Sequence, residues 1–336
     1  MFGAYVRENR KLVIALTVYT AVFALIFWLY RLPLGAVGYA ALVCLFLLLG
    51  YLMGKLGWVT QKGSGEITNL LVRIVVPAAI INSFFVERTP ERLLQFGVSA
   101  VLICAAALLS MVLSQIIFRR HPVENFGVAF SNVGFIGIPL ITAVLGEKAV
   151  FYIAFYSVLV GVLQWTWGVY TITGDKQHVS PRKILTNPAT IAMGLALLAF
   201  LPGWGARLPG VLTRPVSMMA AVNTPLAMVV MGCYLAGADL RSVFSDRFNW
   251  WASFVRLVLI SAATAALFCL VPPAFAEART AVFIAAITPI GVNTATLAHL
   301  FGKDSAKAVA MVCLSTILSV FTMPLMMLLA GWLWGL

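Results

Sequence analysis

The stretch Ser131-Asn132-Val133-Gly134-Phe135-Ile136-Gly137-Ile138-Pro139 interrupts an apolar helical run at its middle, and Thr288-Pro289-Ile290-Gly291-Val292-Asn293-Thr294 interrupts a second one in the other half of the chain. Bilayer hydrocarbon offers no hydrogen-bond partners, so unwound backbone at that depth survives only where it is buried in protein or lines a wet cavity. A matched pair of Gly/Pro-interrupted segments is the sequence signature of a substrate site near the membrane midplane.

The rest of the chain supplies the membrane context. Of 336 residues, 62% are hydrophobic and 10% charged, against roughly 25% charged in soluble domains. Too few charges remain to cover an aqueous surface. Apolar runs of about 20 residues, each able to cross ~30 Å of hydrocarbon, recur at 12–30, 38–56, 67–86, 93–118, 125–145, 149–172, 187–203, 213–237, 249–272, 279–300 and 306–334. The net charge of +12 does not imply a nucleic-acid partner. With the N-terminus placed in the cytoplasm, fourteen basic residues fall on the cytoplasmic side and seven outside. Arg73 and Arg256 lie within spans and complete the 23. That bias follows the positive-inside rule and puts the C-terminus outside. The five cysteines lie in apolar runs without CxxC spacing and read as small core hydrophobes.

Setting aside the first span leaves ten, divided by the polar stretch Thr173-Gly174-Asp175-Lys176-Gln177-His178-Val179-Ser180-Pro181-Arg182-Lys183. Two sets of five helices must enter the membrane from opposite sides, which makes an inverted repeat. The expected division is an extra helix and connector over 1–37, a first repeat over 38–172, a cytoplasmic linker over 173–186 and a second repeat over 187–336. Each interruption falls in the fourth helix of its set. Pro77, Asn82 and Ser83 in the second helix of set one correspond to Asn223-Thr224-Pro225 in set two. These are either kinks or polar groups offered to the broken helices. Gly50 and Gly54 form a small-xxx-small pair, as close helix packing uses.

Enzymatic constellations such as HExxH, GxSxG, a Walker loop or a metal-spaced Cys/His group are absent from the sequence, so neither catalysis nor a cofactor is expected. All eleven acids fall in predicted loops or at span ends. A cation substrate would want a buried carboxylate. An anion would instead be met by half-helix N-termini and by Asn132 and Asn293, whose amides donate as well as accept. Arg73 and Arg256 are expected to snorkel to the cytoplasmic interface, the sharper alternative being a cation lining the inner vestibule. His299 reads as a helix-end polar residue. Trp165, Trp167, Trp250, Trp251, Trp332 and Trp334 read as interfacial anchors.

From about Leu47 onward the chain resembles the auxin efflux carrier family. The likeness is carried by Gly50-Tyr51-Leu52-Met53-Gly54-Lys55-Leu56-Gly57, Pro77-Ala78-Ala79-Ile80-Ile81, the Ser131–Pro139 stretch, Pro225-Leu226-Ala227-Met228, Gly232-Cys233-Tyr234-Leu235-Ala236 and Thr288-Pro289 through Leu297-Ala298. The resemblance implies an all-α polytopic membrane protein of ten helices in a 5+5 inverted repeat, similar to bile-acid and NhaA-type carriers. Its scaffold and transport domains would move like an elevator. With the extra N-terminal helix the total is eleven. The resemblance also implies transport of small organic anions such as malate, malonate or auxin-like acids, with Asn132 in contact with substrate at the first crossover and Pro289 at the second. Residues 1 to about 45 are instead similar to the membrane hairpin that opens a bacterial sensor kinase.

The expected protein is therefore a secondary transporter of a small organic carboxylate in the bacterial inner membrane. Its site is expected at Ser131, Asn132, Pro139, Thr288, Pro289 and Asn293, with Asn82 and Asn223 nearby. An anion channel and a membrane sensor without transport are the rival readings. Proton coupling, sodium coupling, uniport and a homodimer are all compatible with the sequence.

Overall fold

The computed structural model describes residues 35–335, apart from 176, 178–180 and 239. The expected span at 12–30, the hairpin likeness and the cytoplasmic placement of Arg7, Arg10 and Lys11 lie outside the described residues. Those described are helical and contain no strand; a lone antiparallel bridge joins Ser131 to Ile290. Six helices among them are long and apolar enough to cross a membrane, so the protein is a multi-pass membrane protein.

In chain order the principal elements are α1 (Gly35–Lys55), α2 (Gln61–Ser83), α3 (Pro90–Phe118), α4 (Pro122–Ala129), α5 (Val133–Leu145), α6 (Glu147–Thr173), α7 (Pro188–Phe200), α8 (Gly210–Gly237), α9 (Arg247–Leu270), α10 (Ala276–Ala286), α11 (Asn293–Leu300) and α12 (Ser305–Trp334). The two interrupted runs are thus the pairs α4–α5 and α10–α11, broken where Asn132 and Pro289–Val292 stand. Local chemistry sets the ends. Thr60, Thr89, Asn187, Asp246 and Asp304 each accept a backbone N–H of the following first turn, satisfying donors that a helix start leaves free. Pro90, Pro122 and Pro188 occupy first-turn positions, where a missing N–H costs nothing.

The helices pack as two groups. In one, α1 lies along α8 while α2 packs on α7 and α8; in the other, α3, α4, α6, α9, α10, α11 and α12 pack on one another. The groups meet where α5 touches α1 and α8 and where α6 touches α2 and α7. Glycine makes the α1–α8 approach possible. A Cβ on Gly50 would sit 1.9 Å from the Val229 carbonyl oxygen, and one on Gly232 2.0 Å from that of Leu47. The thiol of Cys233 donates to the Gly50 carbonyl across the same contact, at 3.2 Å. The small-residue pair is indeed a packing device, with Gly50 as its tightest point. The largest apolar cluster draws on α2, α3, α5, α6, α7 and α10, and in it Ile138, Ile141, Ile153, Phe283 and Ile284 are closed off from solvent.

Three expectations about individual side chains are corrected. Cys233 and Cys313 are buried as small core residues, but Cys104 and Cys269 are exposed; they fall on outward helix faces, and the Cys44 side chain lies outside the described residues. Arg279, expected outside the spans, is buried in the first turn of α10 and stacks over Trp334 at 4.3 Å. Glu124, in the first turn of α4, is likewise buried, and Lys307 of α12 pairs with it. Both charges stand at helix starts, as the sequence places the acid, but neighbouring helices cover them.

Candidate functional site

The two breaks meet. The Asn132 N–H donates to the Pro289 carbonyl at 2.9 Å, and the Gly291 N–H donates to that of Phe130 at 3.1 Å. Each unwound strand therefore satisfies the other, which answers how polar backbone survives in the interior of a membrane protein. Ser131, Asn132, Thr288, Pro289 and Ile290 are all buried here. A Cβ on Gly291 would meet the Phe130 and Ser131 carbonyl oxygens at 3.4 Å, an ordinary contact, so the crossing there does not depend on glycine.

A cavity of about 380 Å³ opens beside the crossing, within the range of small-ligand pockets. Its wall takes Ser131–Phe135 at the start of α5, Gly291–Asn293 at the start of α11, Ser157, Gln164 and Trp165 of α6, Val72 and Val76 of α2, and Lys183 and Thr186–Ala189 ahead of and into α7. It lies between the two helix groups and reaches the surface beside the exposed Lys183 and Thr186. Both half-helices present their N-terminal ends to it. The first N–H groups of a helix have no intrahelical partner, and the helix dipole puts about half a positive charge there. Asn132 is 3% exposed, lines the cavity, and its side-chain Nδ2 finds no acceptor. Asn293 is held in place by donating from Nδ2 to Gln164 Oε1 at 2.8 Å. Among the described residues lining the cavity there is one formal charge, Lys183, and no carboxylate. The Lys183 ammonium rests 4.3 Å from the Trp165 ring centroid, a cation–π contact.

The sequence candidates separate accordingly. Ser131, Asn132 and Asn293 line this cavity. Thr288, Pro289 and Pro139 are buried and do not line it. Asn82 and Asn223 line a second cavity of about 220 Å³, with Phe46, Ile138, Thr142 and Glu147. It shares no lining residue with the first and borders the later turns of α5. There Asn82 Oδ1 accepts from Ser217 Oγ at 2.6 Å, while the Asn223 amide, 1% exposed, has no partner at either end.

Several residues were missed by sequence reasoning. Gln164 was legible as an amide within an apolar run. Lys183 was counted among the linker charges, because its place at a cavity mouth depends on α5 and α6, distant in sequence. Trp165, expected to be an interfacial anchor, lines the cavity instead. A common backbone feature joins these elements. Wide π turns occur at Leu71–Val75, Val133–Gly137, Gln164–Gly168 and Val255–Leu259, the kind of local widening that marks functional positions in helices. The first three contribute lining residues. The fourth carries Arg256, whose expected snorkelling is overturned: the side chain is fully buried and turned into the crossing. Arg73, on the first π turn, is exposed as expected.

Comparison with known proteins adds two findings. The family model described as "Membrane transport protein" matches residues 37–327. The chain is also 23% identical over 299 residues to a protein of Rhizobium meliloti (strain 1021) described as "Putative malonate transporter", covering 82% of this chain and 89% of that one.

Proposed function

Because the chain belongs to the membrane transport protein family, which is the auxin efflux carrier family its motifs resemble, we propose that it is a secondary carrier of small organic carboxylates. One observation carries the anionic substrate class. A cavity between the two helix groups gathers two half-helix N-termini, an unpartnered buried amide and a lysine, and no acid among its described lining residues. Donors and positive ends without a carboxylate suit a carboxylate ligand. They offer no charged ligand to a metal cation.

In this reading Asn132 Nδ2 donates to one carboxylate oxygen, and the N–H groups that open α5 and α11 meet the charge. Asn293, oriented by Gln164, supplies a further donor. Ser131, Thr288, Pro289 and Pro139 shape the crossing that holds these groups. Lys183 meets the anion at the mouth, on the side of the 173–186 linker. Cavities bordering different turns of α5, with no shared lining, suit alternating access better than a continuous pore. Asn82 and Asn223 would belong to the path on the other side. A 5+5 inverted repeat, as read from the sequence, would place the crossing at mid-bilayer, and the basic bias would favour a cytoplasmic N-terminus in a bacterial inner membrane. A name that mentions malonate on a distant relative makes malonate the first substrate to try.

Ligand-induced thermal stabilisation tests this without requiring flux. Malonate or malate is expected to raise the Tm of the purified protein, and choline is not. Lys183→Gln should leave the apo Tm unchanged, because the ammonium is exposed, and weaken the carboxylate effect. KM for uptake should rise about three- to tenfold, as expected for a surface-accessible charge in high dielectric. Lys183→Glu should weaken it further. Equal stabilisation of the wild type by choline and by malonate would contradict the anion assignment.

A further inference from the structure

The N-terminal ends of the two broken helices face the cavity, so their C-terminal ends, α4 and α10, close the crossing from behind. A helix end leaves its last four carbonyls without intrahelical partners and carries about half a negative charge. Two such ends brought together in a protein interior amount to about one unit of negative charge. Both the charge and the orphan carbonyls require an answer.

Arg256 supplies it. Its Nε donates to the Thr288 carbonyl at 3.0 Å, Nη2 donates to that of Ala286, and Nη1 lies 3.3 Å from the Val128 carbonyl and 3.4 Å from Ser110 Oγ. One guanidinium therefore spans the carbonyl end of α4 and the carbonyl end of α10. The side chain has no solvent exposure, and among the described residues no carboxylate pairs with it. Burial of an unpaired cation is costly unless dipoles replace its water, and here three carbonyls and a hydroxyl do. Arginine suits the task because its planar fork carries five donors and keeps its charge when buried. A π turn at Val255–Leu259 carries the residue, and the Ser261 hydroxyl donates to the Arg256 carbonyl.

We propose that Arg256 is a built-in cation of the crossover. It neutralises the two carbonyl ends that would otherwise recruit a metal ion, and so leaves the positive ends of α5 and α11 free to attract the substrate anion. The proposal rests on the carrier reading and deepens it in two ways. Anion recognition at the crossing needs no sodium, and the α4 and α10 halves are pinned into one body. Arg256 is a positioning residue: it lines neither cavity and acts on the anion through charge.

The test uses the full chain, purified and in proteoliposomes, with Arg256→Lys, Arg256→Gln and Arg256→Ala. Replacing sodium by choline should change neither the wild-type Tm nor the wild-type KM for malonate. Arg256→Lys keeps the charge but loses the fork, and should show a lower Tm with KM within about threefold of wild type. Arg256→Gln loses the charge, and its KM should rise about tenfold or more with a smaller change in kcat, as fits a unit charge acting across the crossing. Methylguanidinium at low millimolar concentration should raise the Tm of Arg256→Ala and leave that of the wild type unchanged, with urea as the control.

The proposal is overturned by a wild-type Tm or KM that depends saturably on sodium. It is also overturned if the Lys and Gln variants raise KM alike, or if methylguanidinium acts equally on Arg256→Ala and wild type. Should Arg256→Ala not fold, the Lys–Gln comparison and the sodium arm decide. A wild type that carries no carboxylate defeats the carrier reading, and the sodium and methylguanidinium effects on Tm still decide the role of Arg256.

Discussion

Asn132→Asp is expected to reduce kcat/KM for carboxylate uptake on the order of 1,000-fold or more, while Asn132→Ala is expected to reduce it about 10- to 100-fold, and both variants should fold. The backbone of residue 132 does the structural work here: its N–H donates to Pro289, and its carbonyl accepts from Ile136 and Gly137 at 3.1 Å. The side-chain Nδ2 has no partner in the fold, so truncation removes nothing that holds the crossing together. Loss of a hydrogen bond to a charged ligand costs about 1.5–3 kcal/mol, the source of the alanine estimate. The aspartate adds a like charge about 5 Å from a bound carboxylate, worth on the order of 3 kcal/mol at an effective dielectric of 20. Initial uptake rates in proteoliposomes, normalised to protein with an unchanged Tm, check both numbers. An aspartate variant as active as wild type would remove Asn132 from the site.

Gly232→Ala is expected to cost more than the 1–3 kcal/mol usual for overpacking and to abolish recovery of monodisperse protein. The added methyl would lie 2.0 Å from the Leu47 carbonyl oxygen, 2.5 Å from the Tyr51 nitrogen and 2.9 Å from the Gly50 carbonyl carbon. All three are backbone atoms, so no rotamer change relieves them and α1 must move off α8. The Cys233–Gly50 hydrogen bond would go with it. Gly97→Ala in α3 is the control. Nothing lies within 4 Å of its Cβ position, and in a helix interior the change should be neutral or stabilising by up to about 1 kcal/mol. Size-exclusion profiles and thermal unfolding in detergent distinguish the two. Equal behaviour of the pair would contradict the packing of α1 on α8.

Which features were legible in the sequence follows from what fixes each of them. Local chemistry marks the breaks at Asn132 and Pro289, because glycine and proline gather with polar residues at each of them, whereas a single proline such as Pro215 in α8 or Pro324 in α12 sits inside a continuous helix; the spans between were readable from apolar length. Facing is not local. Arg256 lies one to two turns from the end of its span, as a snorkelling residue would, and only the crossing of α4 with α10 turns it inward. The 173–186 linker was readable as polar, yet Lys183 enters the cavity mouth through the neighbouring path of α6 and α7. Asn82 and Asn223, matched in the sequence as breakers of second helices and expected near Asn132, line one cavity together. Their separation from Asn132 depends on how α5 divides the interior, which no spacing reports.

Uptake of radiolabelled malonate, malate and indole-3-acetate into proteoliposomes, wild type beside Asn132→Ala and with membrane potential, proton and sodium gradients imposed in turn, tests the anion-carrier assignment most directly. Saturable uptake of at least one of these acids, lost or strongly reduced in Asn132→Ala and indifferent to the sodium gradient, is the predicted result. No flux of any carboxylate in the folded wild type, or flux that Asn132→Ala leaves untouched, would contradict it.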